Sequence, residues 1–151
     1  KNCIGVDTSQ ELIRRATKNF PLFNFKHIPS SNTNEGSCSL DGVILFAVLT
    51  CTPNSTDQKS VIEELHRILK PGGILYISDY LLQNSKTTEG SYDCNGVFRT
   101  SEGAIFRHHT EDYFEELFSH FHCKEIVETP VITLQGNKAD GIQYILQKST
   151  L

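Results

Sequence analysis

Along this chain the apolar positions change period, and the changes mark out the elements. Val61, Ile62, Leu65, Ile68 and Leu69 recur at the helical spacing that lays one apolar stripe against a sheet. The stripe stops at Lys70-Pro71-Gly72-Gly73. Proline cannot continue a helix there, and the two glycines permit the φ > 0 of a tight exit. Ile74, Leu75, Tyr76 and Ile77 then run on without alternation, as strands do when a parallel sheet covers both their faces. A second helix follows Asp7, opened by a capping-box pattern of Thr8 with Glu11 and carrying Leu12, Ile13, Ala16 and Phe20 inward. A third is capped by Thr110, has Glu111 and Asp112 in its first turn, and buries Phe114, Leu117, Phe118 and Phe121.

Shorter apolar runs supply the remaining strands: residues 2–6, residues 23–28, and residues 43–48 after an opening at Leu40-Asp41. Residues 29–39 and 50–57 read as loops, the second ending in Ser55 or Thr56 as a helix cap. Residues 83–103 form a long polar excursion rich in Ser, Thr, Asn and Gly, a length that usually belongs to a lid or a binding loop. Two strands near residues 124–134 and 142–147 close the chain. Their link, Gln-Gly-Asn-Lys-Ala-Asp-Gly, suits an antiparallel hairpin. This order predicts an α/β fold with a mostly parallel sheet, an antiparallel terminal strand and one domain.

Composition narrows the function classes. The 151 residues carry a net charge of −4, which gives no reason to expect nucleic acid or a membrane surface as partner. No apolar run approaches the ~20 residues of a membrane span, and no signal peptide is visible. The five cysteines are odd in number, widely spaced and without a C-x-x-C pair. That pattern argues against a disulfide framework and a zinc module, and makes a reducing cytoplasm the default. His120, His122 and Cys123 lack a second ligand group, so no metal is expected. Oligomeric state is not legible.

Asp7 is the first candidate for chemistry. An acid at the carboxyl end of a strand, just before a helix, is where nucleotide-binding α/β folds accept hydrogen bonds from two ribose hydroxyls. It could equally be a helix-terminal charge without a ligand. His108-His109, ahead of the last helix, suit substrate-side work because histidine exchanges protons near neutral pH. The alternative is a pair of capping or solvent-facing rings. Tyr92, Arg99 and Arg107 stand nearby in sequence, so residues 92–109 could form a substrate lid.

The segment IGVDTSQELIRRA, the strand LDGVILFAVL, the IEELHRILKPGG helix and turn, and the closing hairpin together resemble a class I S-adenosylmethionine-dependent methyltransferase of the small-molecule branch. The likeness spans residues 2–148. It implies a Rossmann-like sheet with helices on both faces, S-adenosylmethionine as cofactor and a small-molecule acceptor. It further implies that Asp7 binds the cofactor ribose and that Thr8 lies beside the adenine. Pro29 and Ser30 take the loop that flanks the adenine, although the family's usual acid is missing there. Phe46 and Ala47 line the methionine end, where Phe46 is either a pocket wall or ordinary core. His108 and His109 are the candidate catalytic residues toward the acceptor.

The family's Gly-rich cofactor loop should lie roughly 20 residues before the acid, whereas this chain opens on Lys1. The expectation is therefore that an N-terminal part of the domain, with its central strand, lies outside this sequence. Two rivals stand beside the enzyme. One is a nucleotide-dependent dehydrogenase, disfavoured by the KPGG turn and the terminal hairpin. The other is a non-catalytic module that keeps the fold without the cofactor.

Overall fold

The computed structural model describes residues 3–83, 91–132, 136 and 138–150, and divides into two compact units, Lys1–Gly36 and Ser37–Leu151. The first unit holds β1 (Ile4–Asp7), α1 (Gln10–Asn19) and β2 (Asn24–His27). β1 and β2 are parallel, with Asp7 opposite His27. The ladder continues through Ile28 N–H to the Asp7 carbonyl at 3.0 Å.

Helix α1 begins one residue later than its capping pattern predicts. Asp7 Oδ1 takes the Ser9 N–H at 2.7 Å, and Ser9 rather than Thr8 is the N-cap, its hydroxyl accepting from Leu12 N–H. Glu11 pairs forward with Arg14 at 2.8 Å instead of reaching back to the cap. The expected inward stripe is also uncovered: α1 has no buried residue, and Leu12 and Phe20 are exposed. Two four-residue strands offer too little surface to cover a three-turn helix.

The second unit contains β3 (Leu40–Phe46), α2 (Ser55–Ile68), β4 (Leu69–Tyr80), β5 (Val97–Arg99), β6 (Ile105–Arg107), α3 (Glu111–Leu117), β7 (Phe121–Ile132) and β8 (Lys138–Lys148). Its main sheet has the order β3-β4-β8-β7. β3 and β4 are parallel, while β8 lies antiparallel to both β4 and β7. The closing hairpin thus inserts its second strand against β4, which makes the sheet mixed. Gln135 and Asn137 of its link lie outside the described residues, as do residues 133–134 of the strand expected before it and residues 84–90 of the polar excursion.

Three local expectations shift. Asn54, not Ser55 or Thr56, caps α2, its Oδ1 accepting from Thr56 N–H at 2.8 Å and Asp57 N–H at 3.3 Å. The Lys-Pro-Gly-Gly stretch belongs to β4, where pairing slips between Leu40↔Leu69 and Gly42↔Ile74. Gly72 supplies a positive φ of 77°, whereas Gly73 is there for proximity: a Cβ on it would lie 2.8 Å from the Lys70 carbonyl oxygen. Part of the region read as loop is a small antiparallel hairpin, β5–β6.

The core belongs to the second unit. Leu49, Leu69, Leu75, Ile77, Phe114, Ile142 and Leu146 are all but fully buried, each contributing about 1.5–3 kcal/mol relative to exposure. The α3 stripe falls where its spacing predicts, with Phe114, Leu117, Phe118 and Phe121 buried.

Candidate active site

In the first unit the parallel pairing of β1 and β2 brings Asp7, Thr8, Pro29 and Ser30 to one carboxyl edge. Asp7 is half-buried and commits a single oxygen, to Ser9 N–H; its other oxygen has no partner among the described residues. The Thr8 carbonyl meets His27 Nε2 at 3.1 Å. Beyond Pro29, the Ser30 hydroxyl accepts from Asn32 N–H at 3.3 Å, turning the chain back. Lys26 Nζ then ties the loop down by donating to the Thr33 carbonyl at 2.8 Å and to Glu35 at 3.1 Å. A half-exposed carboxylate with one open oxygen can accept hydrogen bonds from hydroxyls.

In the second unit the carboxyl ends of β3 and β4 meet at a cavity of about 290 Å³ walled by Phe46, Ala47, Asp79, Tyr80, Val131 and Ile132. Phe46 is 63% exposed, with its ring edge-on to Tyr76 at 5.6 Å, so it is a cavity wall and not core. Ala47 sits at φ 49°, a left-handed conformation that costs a non-glycine residue about 1–2 kcal/mol. Its N–H donates to the Ser78 carbonyl at 2.8 Å, which holds the strained turn against β4. Sparse backbone conformations of this kind gather at functional sites.

Asp79 is 3% exposed, and backbone amides surround it. Oδ2 accepts from Leu49 N–H at 3.0 Å and Thr50 N–H at 3.3 Å, and Oδ1 from Tyr80 N–H at 2.8 Å. Burial pushes its carboxyl up to about 7, with the three amides pulling the other way. The carboxylate thereby pins the loop after β3 to the end of β4. That loop then captures the catalytic candidates. Arg107 N–H donates to the Thr50 carbonyl at 2.9 Å, and Thr50 Oγ1 donates to the Arg107 carbonyl at 2.8 Å.

His108 and His109 are both buried, at 8% and 2% exposure, and their rings answer to different partners. Tyr92 Oη and His108 Nδ1 are 2.7 Å apart, and Tyr80 stacks on the His108 ring at 5.3 Å and 15°. His109 Nε2 lies 2.8 Å from Gln58 Nε2. The same amide nitrogen donates to the carbonyls of Leu49 and Thr52 at 2.9 and 2.7 Å, while Gln58 Oε1 accepts from Tyr113 Oη at 2.7 Å. The two amide hydrogens are thus shared among three acceptors, the two carbonyls and His109 Nε2, and the ring proton falls on Nδ1, a buried atom with no partner among the described residues. Burial lowers His108 to about 4 and His109 to about 3, the Arg107 charge adding to the latter, so both rings are neutral at pH 7. Arg107 itself is buried, bonded to Ser55 Oγ at 2.7 Å and lying over the Tyr113 ring at 4.3 Å.

The structure therefore assembles Phe46 and Ala47 beside Tyr80, and Tyr80 beside His108. Asp79, Tyr80, Gln58 and Tyr113 are members that sequence reasoning passes over. Asp79 carries the same signal as Asp7, an acid at the end of an apolar strand. Gln58 lies one turn before Ile62 on the apolar stripe of α2, and a polar group there demands a buried partner. Tyr80 and Tyr113 carry no comparable mark.

Comparison with known proteins adds the following. Residues 1–77 match the family model described as methyltransferase domain. No curated protein sequence matches the chain. Among solved structures, an S-adenosylmethionine-dependent methyltransferase from Methanosarcina mazei is similar at a TM-score of 0.85 and 24% identity, over 98% of this chain and 82% of that one. One from Clostridium acetobutylicum is similar at 0.74 and 17%, over 99% and 76%. The Burkholderia thailandensis 1,6-didemethyltoxoflavin-N1-methyltransferase, with 1,6-didemethyltoxoflavin and S-adenosylhomocysteine bound, is similar at 0.66 and 18%, over 97% and 60%. At these identities the likeness shows the shared Rossmann-like fold. No helix among the described residues is long and apolar enough to cross a membrane.

Proposed function

The chain belongs to the methyltransferase-domain family, and we propose that it transfers a methyl group from S-adenosylmethionine to a small-molecule acceptor. When bound, the cofactor offers its sulfonium methyl carbon to an acceptor lone pair, the carbon–sulfur electron pair staying on sulfur. The protein's share of such a reaction is mainly alignment.

Asp7 carries the reading. It stands at the carboxyl end of β1 with one oxygen spent on its own turn and the other open, as a ribose-binding carboxylate must be. Thr8 and the Pro29-Ser30 turn, at the same edge of the first unit, flank the adenine. In the second unit Phe46 and the left-handed Ala47 shape the methionine end. His108 and His109 are assigned to the acceptor side: His108 orients the acceptor, and His109, bound to Gln58, sets the backbone of its neighbour. The acceptor is taken to be small because the cavity beside Phe46 is about 290 Å³. The toxoflavin-related ligand named with the Burkholderia enzyme belongs to that size class.

Calorimetry of the full-length protein with S-adenosylhomocysteine tests the proposal. A dissociation constant in the micromolar range is expected, about −8 kcal/mol. Absence of binding heat at millimolar ligand would sink it.

A further inference from the structure

Resting on the function proposed above, we infer that Tyr80 is the residue that meets the acceptor, its ring held flat on His108, which Tyr92 fixes in one tautomer. Tyr80 ends β4 and lines the cavity that Phe46 and Ala47 also wall. Neither histidine lines it. The Tyr80 hydroxyl has no hydrogen-bond partner among the described residues, and His108 is the one described ring that packs on it. One face of Tyr80 is thus backed by the histidine, in a side chain that also lines the cavity.

The backing is built in depth. Phe98 meets the His108 ring edge-on at 4.8 Å and 71°, so the histidine is gripped from a second direction. Tyr92 Oη and His108 Nδ1 are 2.7 Å apart, and the phenol hydrogen meets no other acceptor among the described residues. Gln83 N–H approaches the Tyr92 oxygen at 3.5 Å, on the accepting side of the phenol. The phenol hydrogen therefore goes to His108 Nδ1, and His108 carries its own proton on Nε2. His108 is a positioning residue acting through Tyr80, and Tyr92 positions His108.

The walls name the ligand class. Phe46, Val131 and Ile132 are apolar, and both Asp79 oxygens are spent on backbone amides. The cavity suits a small planar aromatic molecule whose ring lies against Tyr80 and whose heteroatom meets the Tyr80 hydroxyl.

The test follows the fluorescence of 2-naphthol itself as it binds the full-length protein in saturating S-adenosylhomocysteine. Tyr80→Leu should weaken binding about tenfold or more and Tyr80→Phe about two- to fivefold, through loss of ring contact and of the hydroxyl respectively. No 2-naphthol binding to the unaltered protein, or binding as tight in both variants as in the unaltered protein, overturns the inference. Should Tyr80→Leu fail to fold by circular dichroism, the Tyr80→Phe comparison decides alone. Tyr92→Phe tests the positioning pair by nitrogen NMR of the His108 ring. A shift away from the Nε2–H tautomer is expected, and an unchanged tautomer removes Tyr92 from the scheme. Absent S-adenosylhomocysteine binding refutes the proposed function. Its presence without Tyr80-dependent 2-naphthol binding refutes this inference alone.

Discussion

Two aspartates end apolar strands in this protein, and their surroundings assign them opposite work. Asp7 closes β1 in a unit where the helix has no buried residue, and it keeps one oxygen open beside the single bond to Ser9. Asp79 lies near the end of β4 in a unit with a continuous core, and three backbone amides consume both its oxygens. Identical chemistry near a strand's carboxyl end keeps an oxygen open where burial is shallow, which suits the proposed ribose contact, and becomes a structural clamp where burial is deep. An open carboxylate oxygen is the mark of the first, and amide saturation the mark of the second.

The sharpest way to break this contrast is truncation of each acid. Asp79→Ala orphans three amides and should cost about 2–4 kcal/mol of stability in urea unfolding. A cost under about 0.5 kcal/mol, the usual range of a surface substitution, would contradict the clamp. Asp7→Ala should weaken S-adenosylhomocysteine binding about 10- to 100-fold in calorimetry, while changing stability by less than about 1 kcal/mol. Unaltered affinity would remove Asp7 from the cofactor site.

Acid titration sharpens the comparison further. His108 and His109 fall from an ordinary 6.5 to about 4 and about 3 in the fold, so between pH 6.5 and 4 the unfolded chain binds more protons. Their stabilisation is complete above 6.5 and is lost as pH falls toward 4. Asp79 rises from 3.8 to about 7, so its contribution runs the other way, present at low pH and lost as pH climbs through 7. Two groups oppose one, and unfolding midpoints should drop as pH falls from 6.5 to 4.5. Asp79→Asn removes the opposing group, so its acid loss should be steeper than that of the unaltered chain. An equally steep loss would mean that Asp79 is ionised in the fold well below neutral pH. The smallest effect belongs to Tyr113→Phe, which leaves the buried Gln58 oxygen without its donor and should cost about 1 kcal/mol. No change on urea unfolding would show that water takes the tyrosine's place.

Periodicity located α2 and α3 because each presents its apolar residues to a core large enough to use them, and the Gly/Asn/Asp link located the closing hairpin. It overstated α1, whose stripe has little to pack on. Caps slipped by one residue at Ser9 and at Asn54 because a neighbouring backbone amide decides which side chain closes the helix. The β5–β6 hairpin escaped notice since three-residue strands leave no period to detect. At the site, Asp7, Phe46 and the His108-His109 pair stood out by residue type and strand position. Tyr80 and Gln58 did not, because their significance lies in what faces them across 28 and 51 residues of chain.

Sequence alone determined the class of fold and the family to which residues 1–77 belong, since these follow from local spacing and residue chemistry. Tertiary structure alone decided which strand-end acid stays open, which histidine nitrogen carries the proton and which aromatic ring lines the cavity. Those properties depend on desolvation and hydrogen-bond partners, and partners distant in sequence become neighbours only when the chain has folded.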